Sequence, residues 1–130
     1  MITIYTSPSC SSCRKAKKWL DKYGLAYREK NLFVTPISEN EIKQILELTE
    51  NGTEDIISKR AKIVTENELD IDDMKTQELI DFIQEYPSIL KRPIIIDDKR
   101  LQVGYNEEDI RVFIPREMRN MAQYCGVKID

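Results

Sequence analysis

Apolar and polar positions follow two periods along this chain, and the switches between them mark out its elements. Ile2-Thr3-Ile4-Tyr5 has the two-residue alternation of a short, half-buried strand. From Arg14 to Tyr23 the apolar residues Ala16, Trp19, Leu20 and Tyr23 recur three and four apart, the period of a helix with one buried face. Gly24 predicts its C-terminal stop, and Leu25 to Leu32 reads as a second strand with Tyr27 and Leu32 turned inward. Ser38-Glu39-Asn40-Glu41 has the form of a capping box. It opens a helix with Ile42, Ile45, Leu46 and Thr49 on one face, ending at Asn51-Gly52. Thr53 predicts the cap of a short helix through Ile56, Ile57 and Arg60, and Leu69 to Met74 is a polar connection. Thr76 predicts the cap of a third helix bearing Leu79, Ile80, Phe82 and Ile83, which Pro87 ends.

The last third opens with Arg92-Pro93-Ile94-Ile95-Ile96, the β-branched run of a buried central strand. Asp97-Asp98-Lys99 is a turn that brings Arg100 to Val103 back as a hairpin partner. Asn106 caps a helix containing Ile110 and Phe113, Pro115 breaks it, and a final helix runs from about Arg116 to Tyr124. This order predicts an α/β, thioredoxin-like fold with a mixed sheet. At least three helices fall between strands two and three, where one crossover helix would suffice, so part of that stretch is an inserted helical lobe. The expected division is one domain over 1–130, its core at about 1–35 and 91–119 and its insertion at about 38–90. Pro93 is expected to face the loop after the first strand, and the Arg92-Pro93 bond is a candidate for the cis form.

Composition narrows the function. The 130 residues are 41% hydrophobic and 33% charged, the balance of a soluble globular domain. No apolar run approaches the ~20 residues of a membrane span, and the chain opens directly on a strand, so a cytoplasmic protein without a membrane partner is expected. There is no histidine, which excludes serine–histidine and cysteine–histidine catalysis. With Cys125 the only further cysteine, a zinc site of four nitrogen and sulfur ligands cannot be completed within one subunit, and no metal or other cofactor is expected. The net charge of -3 conceals a division. Residues 1–38 carry seven basic and two acidic side chains, whereas residues 39–90 carry five and fourteen. An acidic chain binds nucleic acid poorly on its own, yet a local basic patch can touch DNA when another protein holds it there.

The candidate chemistry lies between the first strand and the first helix, in Ser7-Pro8-Ser9-Cys10-Ser11-Ser12-Cys13-Arg14. Cys10 falls at the mouth of the helix and Cys13 one turn inside it. Unpaired N–H groups, the positive end of the helix dipole, and Arg14, Lys15, Lys17 and Lys18 all favour a thiolate there. Two cysteines three apart can close a reversible disulfide without unfolding the helix. The plainer alternative is a pair of small packing residues; a C-x-x-C in a strand–loop–helix context favours redox chemistry over it. In a cytoplasmic protein such a bond is regulatory or catalytic rather than structural.

Four stretches together resemble the transcription-regulator branch of the arsenate reductase (ArsC) family. They are Tyr5 to Ala16, Asn51-Gly52-Thr53, Leu90 to Ile96 and Lys99 to Asn106, and the resemblance runs from Met1 to about Arg119. It implies a thioredoxin-like, ArsC-like fold and a redox-sensing regulator that is not an enzyme. The implied partner is the C-terminal domain of the RNA polymerase α subunit. Through it the regulator would activate thiol and oxidative-stress genes and interfere with activator-dependent transcription. Position by position, Cys10 and Cys13 resemble the switch pair and Gly52 the glycine of the polymerase contact. Arg92 resembles the arginine that senses oxidation, and Arg60 and Lys62 resemble residues that engage promoter DNA, weakly and only with polymerase. A monomer, turned over by a ClpXP-type protease with an adaptor, is also implied.

The runner-up is a thiol-dependent reductase, of arsenate or of the glutaredoxin kind. Arg60 and Arg92 resemble two arginines of the reductase anion pocket, but no cation stands near Val103-Gly104 where a third belongs. Cys13 replaces the serine of the reductases, so an adduct on Cys10 would collapse into the local disulfide. Plainer readings stand beside the rest. Gly52 can be a left-handed helix cap, Arg60 and Lys62 solvated surface, and Arg92 a partner of Asp97 or Asp98. Trp19 belongs in the core, and Cys125 is a spare thiol.

Overall fold

A computed structural model describes residues 2–58, 61–66 and 73–114, apart from the side chain of Ile63. Strands β1 (Ile2–Thr6), β2 (Tyr27–Asn31), β3 (Ile94–Ile96) and β4 (Leu101–Val103) form one sheet in the order β2-β1-β3-β4. β1 runs parallel to β2 and antiparallel to β3, which is antiparallel to β4, so the sheet is mixed. Helix α1 (Ser11–Lys22) makes the crossover between the parallel pair. Helices α2 (Glu39–Glu47), α3 (Lys62–Glu66) and α4 (Thr76–Glu85) lie in sequence between β2 and β3. No helix among the described residues is long and apolar enough to cross a membrane.

The register explains why β3 is apolar throughout. Ile95 pairs with Ile4, and with Ile2 these side chains meet Ala16, Trp19 and Leu20 of α1 together with Ile110 and Phe113. Neighbouring strand residues point the other way. Ile94, Ile96 and Tyr5 therefore join Ile42, Ile45, Leu79, Ile80 and Ile83 of α2 and α4. The sheet is thus covered by α1 on one face and by the helices between β2 and β3 on the other. Each fully buried isoleucine contributes about 1.5–3 kcal/mol.

A polar link ties the two layers together. The Tyr5 hydroxyl donates to Glu41 Oε2 at 2.6 Å, Lys30 Nζ reaches the same oxygen at 3.0 Å, and the Ser38 N–H donates to Glu41 Oε1. Glu41 therefore completes the capping box of α2 while bridging β1 and β2. Partial burial pushes its carboxyl up, but the bonds from Tyr5, Lys30 and Ser38 outweigh that and hold it below the usual carboxylate range. Burial and the same carboxylate push the Tyr5 hydroxyl far up. Replacing Glu41 with Ala is expected to cost about 1–3 kcal/mol, read by urea unfolding, with Tyr5→Phe non-additive in the same background. Because the folded-state pKa is depressed, the stabilisation is complete above pH 4.5, the ordinary value, and is lost as pH falls through the folded value.

Several sequence expectations are corrected. α2 ends at Glu47 with Leu48 as its cap, before Asn51-Gly52, and Thr49 folds its hydroxyl back onto the Leu46 carbonyl. Thr53 is not a cap: Gly52–Asp55 is a 3-10 turn with no side-chain cap bond, and Ile57 instead forms a β-bridge with Leu90. Thr76 is the first residue of α4 rather than its cap, which is Lys75 without a side-chain bond. Asn106 does accept from the N–H groups of Glu108 and Asp109, but Asp109–Phe113 is a 3-10 helix. Tyr27 is half-buried, whereas Leu32 is buried. Arg60, Cys125, the expected helix at 116–124 and most of the 69–74 connection lie outside the described residues.

Candidate functional site

The site begins with a change of backbone direction. Ser9 takes φ 59, a left-handed conformation uncommon for a residue with a Cβ, and turns the chain from β1 into α1. Cys10 then stands as the N-cap of α1, its sulfur accepting from the Cys13 N–H at 3.2 Å. The two cysteines are joined in a disulfide, with Cα atoms 5.2 Å apart. Their exposures differ. Cys13 is 2% exposed, on the helix face against the sheet, while Cys10 is half-buried and open to the surface.

Cys10 lines a cleft of about 720 Å³ together with Ser9, Ser12, Phe33, Lys91 and Arg92. Ser58 and Ala61, which flank the undescribed Arg60, lie in the same wall. The Arg92-Pro93 peptide bond is cis. The Arg92 guanidinium sits over the Phe33 ring, 5.6 Å from its centre, a cation–π contact of about 0.5–1 kcal/mol where solvent has access. Asp97 does not hold Arg92. Its Oδ1 accepts from the N–H groups of Lys99 and Arg100, and its Oδ2 lies 3.7 Å from Arg100, closing the β3–β4 turn.

Gly52 lies outside the cleft lining. It takes φ 73, and a Cβ there would meet nothing within 4 Å. The turn around it is set by Asp55, whose carboxylate accepts from the N–H groups of Glu50 and Asn51 and from the Asn51 amide. These bonds, the Asn51 N–H first, hold the Asp55 carboxyl below its usual range. A ladder joins this turn to the cleft. The Ser58 N–H donates to the Ile89 carbonyl, the Lys91 N–H to the Ile56 carbonyl, and Lys91 Nζ to the Glu54 carbonyl. Lys62 opens α3, exposed, 3.7 Å from Glu66 one turn on. Cys10, Cys13 and Arg92 are thus brought to one place, with the Gly52 turn one short ladder away.

Sequence reasoning missed Phe33. Its only signal was that Phe33-Val34 is an apolar pair in a polar loop, and both residues are exposed. Missed too was the Tyr5–Glu41 bond, which spans 36 residues and has no local signature.

The model of the ArsC family matches residues 5–113 of this chain. The chain is 54% identical over 119 residues to the global transcriptional regulator Spx of Listeria monocytogenes, covering 92% of this chain and 91% of that one. It is 52% identical over 120 residues to the global transcriptional regulator Spx of Bacillus subtilis, covering 92% of each. Among solved structures, an ArsC-family-related protein from Bacteroides fragilis superposes with a TM-score of 0.72 at 23% identity, covering 83% of this chain and 92% of that one. An arsenate reductase from Vibrio cholerae superposes with a TM-score of 0.66 at 22% identity, covering 85% and 92%. At that identity these structures speak for the fold alone.

Proposed function

The chain belongs to the ArsC family, and from that premise we propose that it is a redox-sensing transcriptional regulator of the Spx kind rather than a reductase. The observation that carries the proposal is the Cys10–Cys13 disulfide at the mouth of α1, in a chain more than half identical to a named Spx regulator. In this reading the chain acts in the cytoplasm. It docks on the C-terminal domain of the RNA polymerase α subunit through the Gly52 turn.

The switch follows from the unequal exposure of the two sulfurs. Cys10, the accessible one, attacks the O–O bond of a peroxide as a thiolate, becoming a sulfenic acid and releasing hydroxide. The Cys13 thiolate then attacks the Cys10 sulfur and displaces hydroxide, which takes a proton from solvent, closing the disulfide. A dithiol returns both electrons in the reverse exchange. Closing the ring removes the negative charge that a guanidinium in the cleft would pair with. The stacking of Arg92 on Phe33 in the disulfide form supports this, since a cation without a thiolate partner takes the nearest π-face. The change passes along the Lys91–Ile56 ladder to Ser58 and Ala61 in the cleft wall and on to Lys62, which with Arg60 presents charge to promoter DNA beside polymerase.

The cleft, with Lys91 and Arg92 at its wall, is the observation that favours the reductase reading. One experiment separates the two. Purified protein is mixed with the α C-terminal domain, with and without dithiothreitol, beside turnover assays with arsenate and insulin. The proposal expects a complex and no turnover; multiple turnovers without a complex would overturn it.

A further inference from the structure

We propose that the exposed face of α1 is a phosphate-binding surface that lies along the backbone of double-stranded DNA. The inference deepens the regulatory reading and rests on it. It adds a nucleic-acid contact on the face of the sheet opposite the Gly52 turn.

Successive helix residues turn by about 100°. Arg14, Lys15, Lys18 and Lys22 therefore fall within an arc of roughly 100°, facing away from the buried Cys13, Ala16, Trp19 and Leu20. All four are exposed, and none forms an ion pair among the described residues. The single acid of α1, Asp21, stands at the edge of that arc. Lys17 lies outside it and pairs with Glu29.

This arrangement is unfavourable for the helix itself. Arg14, Lys18 and Lys22 are like charges one turn apart, and like charges at that spacing destabilise a helix. Arg14 also stands in the first turn, near the positive end of the dipole. Elsewhere the chain offsets its helical cations locally, as in Lys43–Glu39 and Lys62–Glu66. A local rule broken along this face, and kept on the other helices, marks a surface with a role beyond helix stability, and Lys22, three turns from Cys10, extends it past any role in holding the thiolate.

The partner is identified by charge and spacing. Arg14 to Lys22 spans a rise of about 12 Å, or three to four steps of one DNA strand at ~3.4 Å each. Of the helices on the opposite face, α4 exposes a row of acids, Glu78, Asp81 and Glu85, which a polyanion would avoid.

The test is fluorescence anisotropy of the full chain with a labelled 20-base-pair duplex between 50 and 200 mM salt, alone and with the α C-terminal domain. Arg14→Ala/Lys18→Ala/Lys22→Ala is compared with Lys62→Ala, and folding is monitored by circular dichroism and melting. Loss of three phosphate contacts is expected to flatten the salt dependence by about three in log–log slope, so that the affinity ratio across that salt range shrinks by roughly 40-fold. α-domain binding is expected to be unchanged. Unaltered duplex affinity and slope in the triple variant would overturn the inference, and a loss confined to Lys62→Ala would overturn it while leaving the regulatory reading intact. Wild-type protein that binds polyglutamate as tightly as duplex would overturn it in favour of an acidic protein partner. Failure to bind the α domain at all would instead sink the regulatory reading.

Discussion

A Cys13→Ser protein is expected to lose its transcriptional response to oxidant altogether. Coupling of ~1–3 kcal/mol between the disulfide and promoter engagement corresponds to a five- to 150-fold difference between oxidised and reduced protein. Without the second sulfur that ratio falls to about one, read as transcript yield from a thiol-stress promoter with diamide against dithiothreitol. The variant is expected to fold, because a buried serine hydroxyl on α1 can bond back to the carbonyl one turn earlier. The pair is separated by only 3 positions, so the bond closes a very small loop and removes about 2 kcal/mol of unfolded-chain entropy. Cys10→Ala is expected to behave alike, with one difference. With peroxide as oxidant, Cys13→Ser leaves a Cys10 sulfenic acid that persists and is trapped by dimedone, whereas Cys10→Ala leaves, of the pair, only a thiol that is 2% exposed. Full oxidant activation by either variant would remove the pair from the mechanism.

Gly52→Arg carries the second large effect, and the structure separates its two components. At φ 73 any side chain incurs the left-handed conformation, about 1–2 kcal/mol. A Cβ there meets nothing within 4 Å, so the fold offers no clash. The expected protein is folded and melts a few degrees lower, yet binds the α C-terminal domain about 30-fold or more weakly, the loss of a contact of ~2 kcal/mol. Gly52→Ala serves as the control, having the same backbone cost and little added volume. If both variants lose affinity equally, backbone strain is the cause; if arginine alone does, the side chain occupies space that belongs to the partner. Calorimetry beside thermal melts reads both.

Where the chemistry is local, the sequence was legible. The three-and-four spacing of Ala16, Trp19, Leu20 and Tyr23 fixed α1 and so put Cys10 at its cap. Ser38 and Glu41 both make the bonds of a capping box, and the Asp97 turn returns β4 onto β3. Threonine misled twice. At position 53 the left-handed Gly52 sends the chain into a 3-10 turn that already contains Thr53, and Asp55 secures the N–H groups of Glu50 and Asn51 just before it, so the threonine hydroxyl caps nothing. At position 76 the helix starts one residue earlier than the hydroxyl would require.

What stayed hidden is what only tertiary structure assembles. Arg92 had acids nearby in sequence, but Asp97 is committed to the hairpin, and the aromatic face it meets is 59 positions away in Phe33. Nor did the charge division by sequence show that α1 and the acidic helices cover opposite faces of the sheet. That followed from the register of Ile4 on Ile95.

The claim beneath all of this is that the state of two sulfurs, rather than turnover, sets the output. It is tested most directly by titrating the protein through a series of dithiothreitol redox buffers. At each potential, the disulfide fraction is measured by mass after alkylation and promoter transcription is measured with purified polymerase. The two curves are predicted to share one midpoint and one two-electron slope. Transcription that stays level while the disulfide closes would contradict the account.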